Sequence, residues 1–232
     1  MGIFSRKRRG NRESADLSSS QLDSVDLATG KDPEDSQITA DDDSIVLSPR
    51  SSDAGPLDAE SLSELPTDGY ADLGIVRFHP VSGMQMNMPQ NQEPYSPLTF
   101  IIANAALQVT VFACPKGEDG RLKRYEDITQ AYEGSDSTVT QVETRYGTEL
   151  HVSTPVTAPD GRAGVGVVRI LLVGGHRWVA QLVIHGAAVD LDSAAAKLID
   201  DFIDSLIIVR GSNPAAPYSI LLPQNPAEFQ QV

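Results

Sequence analysis

The chain has 232 residues, 18 Lys and Arg against 32 Asp and Glu, a net charge of -14, one cysteine and one tryptophan. A lone cysteine, Cys114, excludes a disulfide framework and a multi-cysteine metal cluster. The acidic balance argues against general nucleic-acid binding by the body, because phosphate contacts need a basic surface. No apolar run approaches the ~18 residues of a membrane-spanning helix.

The charge is segregated along the chain. Residues 1–12 hold five bases, Arg6, Lys7, Arg8, Arg9 and Arg12, and no acid. Residues 13–73 hold sixteen acids and two bases, and residues 74–232 hold sixteen acids and eleven bases. This asymmetry marks a tail joined to a body. No aromatic residue occurs between Asn11 and Gly69, and apolar residues there are scattered singly among Ser, Asp and Gly. So little apolar surface does not offset an ordering cost of roughly 1–2 kcal/mol per residue. Residues 1–72 are therefore predicted to be a disordered arm, with a basic tip at 1–12 and an acidic linker at 13–72. Within it, Leu57–Leu65 has spacing for no more than a transient helical turn.

The basic tip lacks the apolar stretch of a secretory signal. Arg6 stands where a myristoylation pattern wants Ser or Thr. Against anionic lipid its five bases with Ile3 and Phe4 offer ~6 kcal/mol at most, an affinity of about 0.05 mM. Two readings stay open: a solvated tip folded onto its own acidic linker, or weak membrane or nucleic-acid contact.

From Leu73 the pattern changes. Ile75–Phe78 reads as a strand, and Met84, Met86 and Met88 alternate onto one face of another. Leu98–Ala103 and Leu107–Ala113 are two strands around Asn104-Ala105-Ala106. Leu122, Tyr125, Ile128 and Tyr132 fall at helical spacing, and Gly134 stops the helix. Thr138–Thr144 and Thr148–Ser153 alternate like strands across Gly147, and Pro159–Arg162 is a loop. Val165–Val173 and His176–Ile184 flank Gly174-Gly175, which predicts a hairpin turning on the two glycines.

A last helix is predicted with Asp190 as its cap. Leu191, Ala195, Leu198, Phe202 and Leu206 form its apolar stripe, and Lys197, Asp200, Asp201 and Asp204 face away. Ile207–Val209 is a last turn or a short strand. Four prolines after Gly211 point to an extended segment, 211–232, lying along the body through Tyr218, Ile220 and Leu221. The predicted domain thus spans 73–210. Its class is α+β, a mostly antiparallel sheet of about six to eight strands with a middle helix and a long C-terminal helix packed on it. The order of elements is similar to Mog1/PsbP-like sandwiches, an analogy of order alone.

Few residues carry chemistry. His79, His151, His176 and His185 show no metal-helix spacing, so neither a metal nor another cofactor is expected. No Gly-x-Ser-x-Gly elbow appears. Cys114 reads as a buried strand-end residue. Arg169 sits in a strand otherwise apolar on both faces and needs a partner or an exit to solvent. Trp178 is either core or a groove wall with Arg177. Arg169, Arg177 and Trp178 are the candidate surface for a ligand or partner.

Basic start Met1–Arg9, Gly55-Pro-Leu-Asp58, Asp72-Leu-Gly74, Val111–Pro115, Gly147-Thr-Glu-Leu150, Gly174-Gly-His-Arg-Trp178 and Ile208-Val-Arg-Gly211 occur in that order. The whole chain thereby resembles an uncharacterised actinobacterial family, domain of unknown function thirty-seven ten. It departs from the family's usual pattern at His176, where Pro is common, and at Cys114, where Ala is. The resemblance implies a cytoplasmic protein and carries over no activity, cofactor or catalytic residue. The functional expectation is a non-enzymatic binding or adaptor domain acting through a protein partner. The alternatives are an enzyme or binding protein for a small anionic ligand such as a nucleotide, held by Arg169 and Arg177, and peripheral attachment at the inner membrane surface through residues 1–12.

Overall fold

A computed structural model describes residues 45–89, 96–157 and 161–224. They belong to one compact unit, Ser44–Val232. Strands β1 (Leu57–Asp58), β2 (Ala71–Asp72) and β3 (Val76–Phe78) come first, followed by β4 (Gln85–Asn87), β5 (Leu98–Ile102) and β6 (Ala105–Ala113). Helix α1 (Gly120–Tyr132) precedes β7 (Thr138–Thr144), β8 (Gly147–Thr157), β9 (Ala163–Gly175) and β10 (Trp178–Gly186). Helix α2 (Ala194–Ser205), β11 (Ile207–Ile208) and β12 (Ile220–Leu221) complete the order.

Among the described residues the main sheet has eight strands in the order β4-β5-β6-β10-β9-β8-β7, with β12 also paired to β6. Every pairing in it is antiparallel. A small second sheet runs β1-β11-β3-β2, in which β1 and β11 are parallel. The α+β class and the antiparallel sheet are as the sequence predicts.

Side-chain alternation divides the sheet into two faces. Leu107, Val109, Leu171, Val173, Trp178, Ala180, Leu182 and Ile184 share the larger core with Ile199, Phe202 and Ile203 of α2. Phe78, Phe100 and Phe202 lock three elements together edge to face, with centroids 4.9–5.9 Å apart. On the other face, Tyr125 and Ile128 of α1 cover Leu150, Val152, Ile170 and Leu172. The methionines of the β4 region pack on the larger core as a set, as their alternation predicts.

Three expectations need correction. First, the body begins well before Leu73. Ala54 is fully buried, the Leu57 amide donates to the Leu206 carbonyl at 2.7 Å, and β1 joins β11. Residues 45–72 bring too little apolar surface to fold alone. They are held by pairing with the rest of the body, through backbone hydrogen bonds that composition does not register. Second, the β9–β10 hairpin turns on His176-Arg177, with Arg177 at φ +61. Gly174 and Gly175 are strand residues, and a Cβ on Gly175 would collide with the Trp178 indole. Third, α2 is capped by Ser193, whose Oγ accepts from the Ala196 amide at 3.0 Å. Its buried stripe is Ala196, Ile199, Phe202 and Ile203; Phe202 and Leu206 are buried as predicted, while Ile199 takes the place expected of Leu198. Leu191 and Leu198 are exposed, while Asp200 and Asp204 turn toward the sheet.

Candidate functional site

The three predicted site residues do not converge. Arg169 lies opposite His151 and is 1% exposed. Arg177 sits at the hairpin tip, ~20 Å along β9 at 3.3 Å per residue. Trp178 is 1% exposed and belongs to the core, with its ring over Gly175. Arg177 reaches Glu60 at 3.4 Å and the Gly211 carbonyl at 3.3 Å. The basic tip, Arg6, Lys7, Arg8, Arg9 and Arg12, lies outside the described residues.

Arg169 finds its partner in Glu149, which is fully buried. Its Nε and Nη2 donate to the two carboxylate oxygens at 3.0 and 2.9 Å, and Nη1 donates to the Ala188 carbonyl at 2.9 Å. Glu149 also accepts from Thr144 at 2.8 Å and lies 3.2 Å from His151 Nε2. All three guanidinium nitrogens are thereby engaged within the protein. The pair joins β8 and β9 diagonally and ties both to the turn before α2.

Beside it sits a second polar group. The Tyr146 hydroxyl donates to the Asp200 carbonyl at 3.3 Å and toward Asp204 Oδ1 at 3.5 Å. Asp204 accepts from the Gly55 amide at 2.9 Å and pairs with Arg145 at 2.9 Å. Burial pushes the Tyr146 hydroxyl strongly upward. Burial also raises the Asp200 carboxyl, whose Oδ1 has no partner among the described residues, while Arg169 pulls it back down. Sequence reading missed Glu149, Tyr146 and Asp200. The available signal was an acid inside an apolar alternation, on the strand nearest the orphan Arg169.

The histidines are dispersed. His79 stacks edge-on to Tyr70, His151 meets Glu149, and His176 approaches Glu60 at 3.5 Å. Burial lowers His185, and its Nε2 has no partner among the described residues. Among the described residues no group of three or more His, Cys, Asp or Glu is placed to hold a metal. Cys114 is buried, its thiol pushed up by burial and donating to the Glu118 carbonyl at 3.4 Å. Among the described residues no helix is long and apolar enough to cross a membrane.

One surface feature stands apart from this structural polarity. The β7–β8 ladder stops at Thr138 and Ser153, and the β10–β9 ladder stops at Ile184 and Arg169. Beyond these points β8 and β9 pair, among the described residues, only with each other, through Thr157 and Ala163. This two-stranded ribbon projects ~15 Å at 3.3 Å per residue. Val165 and Val167 are 65% and 37% exposed on one face, and Val156 is 46% exposed on the other. Gly164 and Gly166 lie across from Val156 and leave it uncovered.

Fold and site together define a two-sheet α+β domain whose central polar groups hold it together. The chain belongs to a family of proteins of unknown function, DUF3710, which matches residues 55–232. The match begins at Gly55, inside the stretch that composition assigned to the arm. No curated protein matches the chain. It is similar to the solution structure of cyanobacterial PsbP (CyanoP) from Synechocystis sp. PCC 6803, with 12% identity and a TM-score of 0.32. That likeness covers 64% of this chain and 99% of the other.

Proposed function

We propose that this is a non-catalytic, cytoplasmic binding domain that acts through a protein partner engaging the β8–β9 ribbon. The observation that carries the reading is the exposure of Val156, Val165 and Val167 on a ribbon outside the sheet. A two-stranded ribbon gains little stability of its own, and apolar residues there gain nothing while they face water. Its described residues Thr154–Thr157 and Ala163–Val167 carry no charge. Natural sheets blunt free edges with charges or prolines. Here Pro155 interrupts the β8 edge, and the β9 edge from Ala163 to Val167 has neither device. The partner suited to it supplies an extended apolar segment that adds alongside β9.

A photo-cross-linking amino acid at position 165, with one at position 191 as control, tests this in cells. Leu191 is similarly exposed, at 44%, but lies before α2. The expected result is a discrete protein adduct from 165 and none from 191. A V165D/V167D double variant should lose the adduct's copurifying protein while keeping its unfolding midpoint. Equal adducts from both positions, or retention of the protein by the double variant, would count against the ribbon.

A further inference from the structure

A cleft of about 430 Å³ opens where β9 runs past the start of β8. Its floor is Leu172–Gly175 with Trp178, one wall is Pro49-Arg50, and the other is Gly117–Arg121 at the start of α1. The volume falls in the usual range for small-molecule sites, roughly 300–1,000 Å³.

Each wall carries one arginine, and the two charges lie near each other. Arg50 donates through Nη1 to the Ala54 and Pro56 carbonyls at 2.5 and 2.6 Å. Among the described residues no hydrogen bond engages its other nitrogens. Burial lowers its proton affinity, nearby Asp58 offsets this, and the Arg121 charge lowers it further. Arg121 donates to the Ser48 carbonyl at 3.0 Å and to Asp119 at 2.6–3.2 Å. The acids on the same wall are engaged. Asp119 caps α1 and pairs with Arg121, and Glu118 accepts from the Tyr218 hydroxyl at 2.8 Å. The positive end of a thirteen-residue helix adds to the field.

A second feature of the lining is independent of charge. Trp178 is 1% exposed, and its Nε1–H meets no acceptor among the described residues. Gly174 and Gly175 make room on the floor for the Arg121 stem and the Trp178 indole. Arg121's stem would lie 3.4 Å from a Cβ on Gly174, and the indole would meet one on Gly175.

We propose that this cleft binds a small phosphate monoester, its phosphate held between Arg50 and Arg121 and its organic body on the Leu172–Gly175 floor beside Trp178. A tetrahedral dianion presents oxygens to both walls at once. A planar carboxylate is matched by one guanidinium, and Arg121 already has such a partner in Asp119. The site is separate from the ribbon, and its failure leaves the partner reading untouched.

Trp178 is the lone tryptophan, so one indole N–H resonance reports on the cleft in the intact chain. Phenyl phosphate, inorganic phosphate and benzoate are the probes. Phenyl phosphate should move that resonance saturably below ~10 mM, a limiting affinity of about 3 kcal/mol, and inorganic phosphate should move it less. An R121Q variant should weaken phenyl phosphate about tenfold while its unfolding midpoint stays close to that of the parent chain. Should R50Q unfold the chain, R50K, which keeps the charge, serves in its place and should bind more weakly than the parent. An unmoved indole, or an equal response to benzoate, would overturn the proposal. So would unchanged affinity in R121Q.

Discussion

At the scale of single residues, the buried pair Glu149–Arg169 is the feature with the largest consequence. Removing one partner leaves the other charged and buried, which costs about 3–5 kcal/mol. R169M is therefore expected to lose most of a small domain's stability in urea unfolding. The double variant E149M/R169M should recover much of that loss, because no unpaired charge remains. Asp200 makes a separate prediction with a defined sign. Burial holds its carboxyl above the ordinary range, against the pull of Arg169 and Arg145 and with Glu149 and Asp204 adding to the rise. The folded chain thus keeps this proton to higher pH than the unfolded chain does. Ionised Asp200 costs stability above its raised pKa, and the cost fades as pH falls toward the unfolded value of about 3.9. D200N is expected to raise the urea midpoint at pH 7, with a gain that shrinks steadily toward pH ~4. A gain independent of pH would contradict this. The need of Arg169 for a partner was legible in the sequence. The identity of the partner was not, because it depends on the register between β8 and β9, which alternation alone does not set.

At the scale of elements, α2 shows how a pattern misleads. Ala194–Ser205 has apolar residues on two overlapping stripes, and Asp190, Asp192 and Ser193 can each cap. The stripe through Leu198 and the one through Ile199 differ by 100° on the helix, and tertiary packing chose the second. I199A should cost ~2–5 kcal/mol as a cavity in the core, and L198A should stay within roughly 1 kcal/mol. Thermal unfolding of the two variants decides between the phases. The strands were read more faithfully, because period-two alternation in β4, β5 and β6 leaves one dominant face. The hairpin turn was misplaced for a different reason. Two glycines satisfy a turn and a close approach equally well, and here Gly175 makes room for Trp178. The compensating strain falls on Arg177 at positive φ.

At the scale of the whole molecule, the boundary of the body carries the account. Residues 45–72 read as arm by composition, yet Ala54 is buried, Leu57 bonds to Leu206, and Gly55 bonds to Asp204. A chain starting at residue 45 is expected to unfold cooperatively with the midpoint of the full protein. One starting at Leu73 loses β1, the cover over Ile207 and the partner of Asp204, and should not give a cooperative transition in circular dichroism. Function was the least legible level. The polar residues that stood out, Arg169 and Trp178, hold the body together. The ribbon stood out less, since alternating valines at 165 and 167 look like any buried strand until the ends of β7 and β10 are known.

The most direct test of the partner reading is amide hydrogen exchange along β9, in the isolated protein and in the complex recovered from cells. In the isolated protein, alternate amides between Ala163 and Val167 should exchange fast, while those from Ile170 to Val173 stay protected by β10. In the complex, the fast amides should become protected. Protection that appears elsewhere, with residues 163–167 unchanged, would contradict the account.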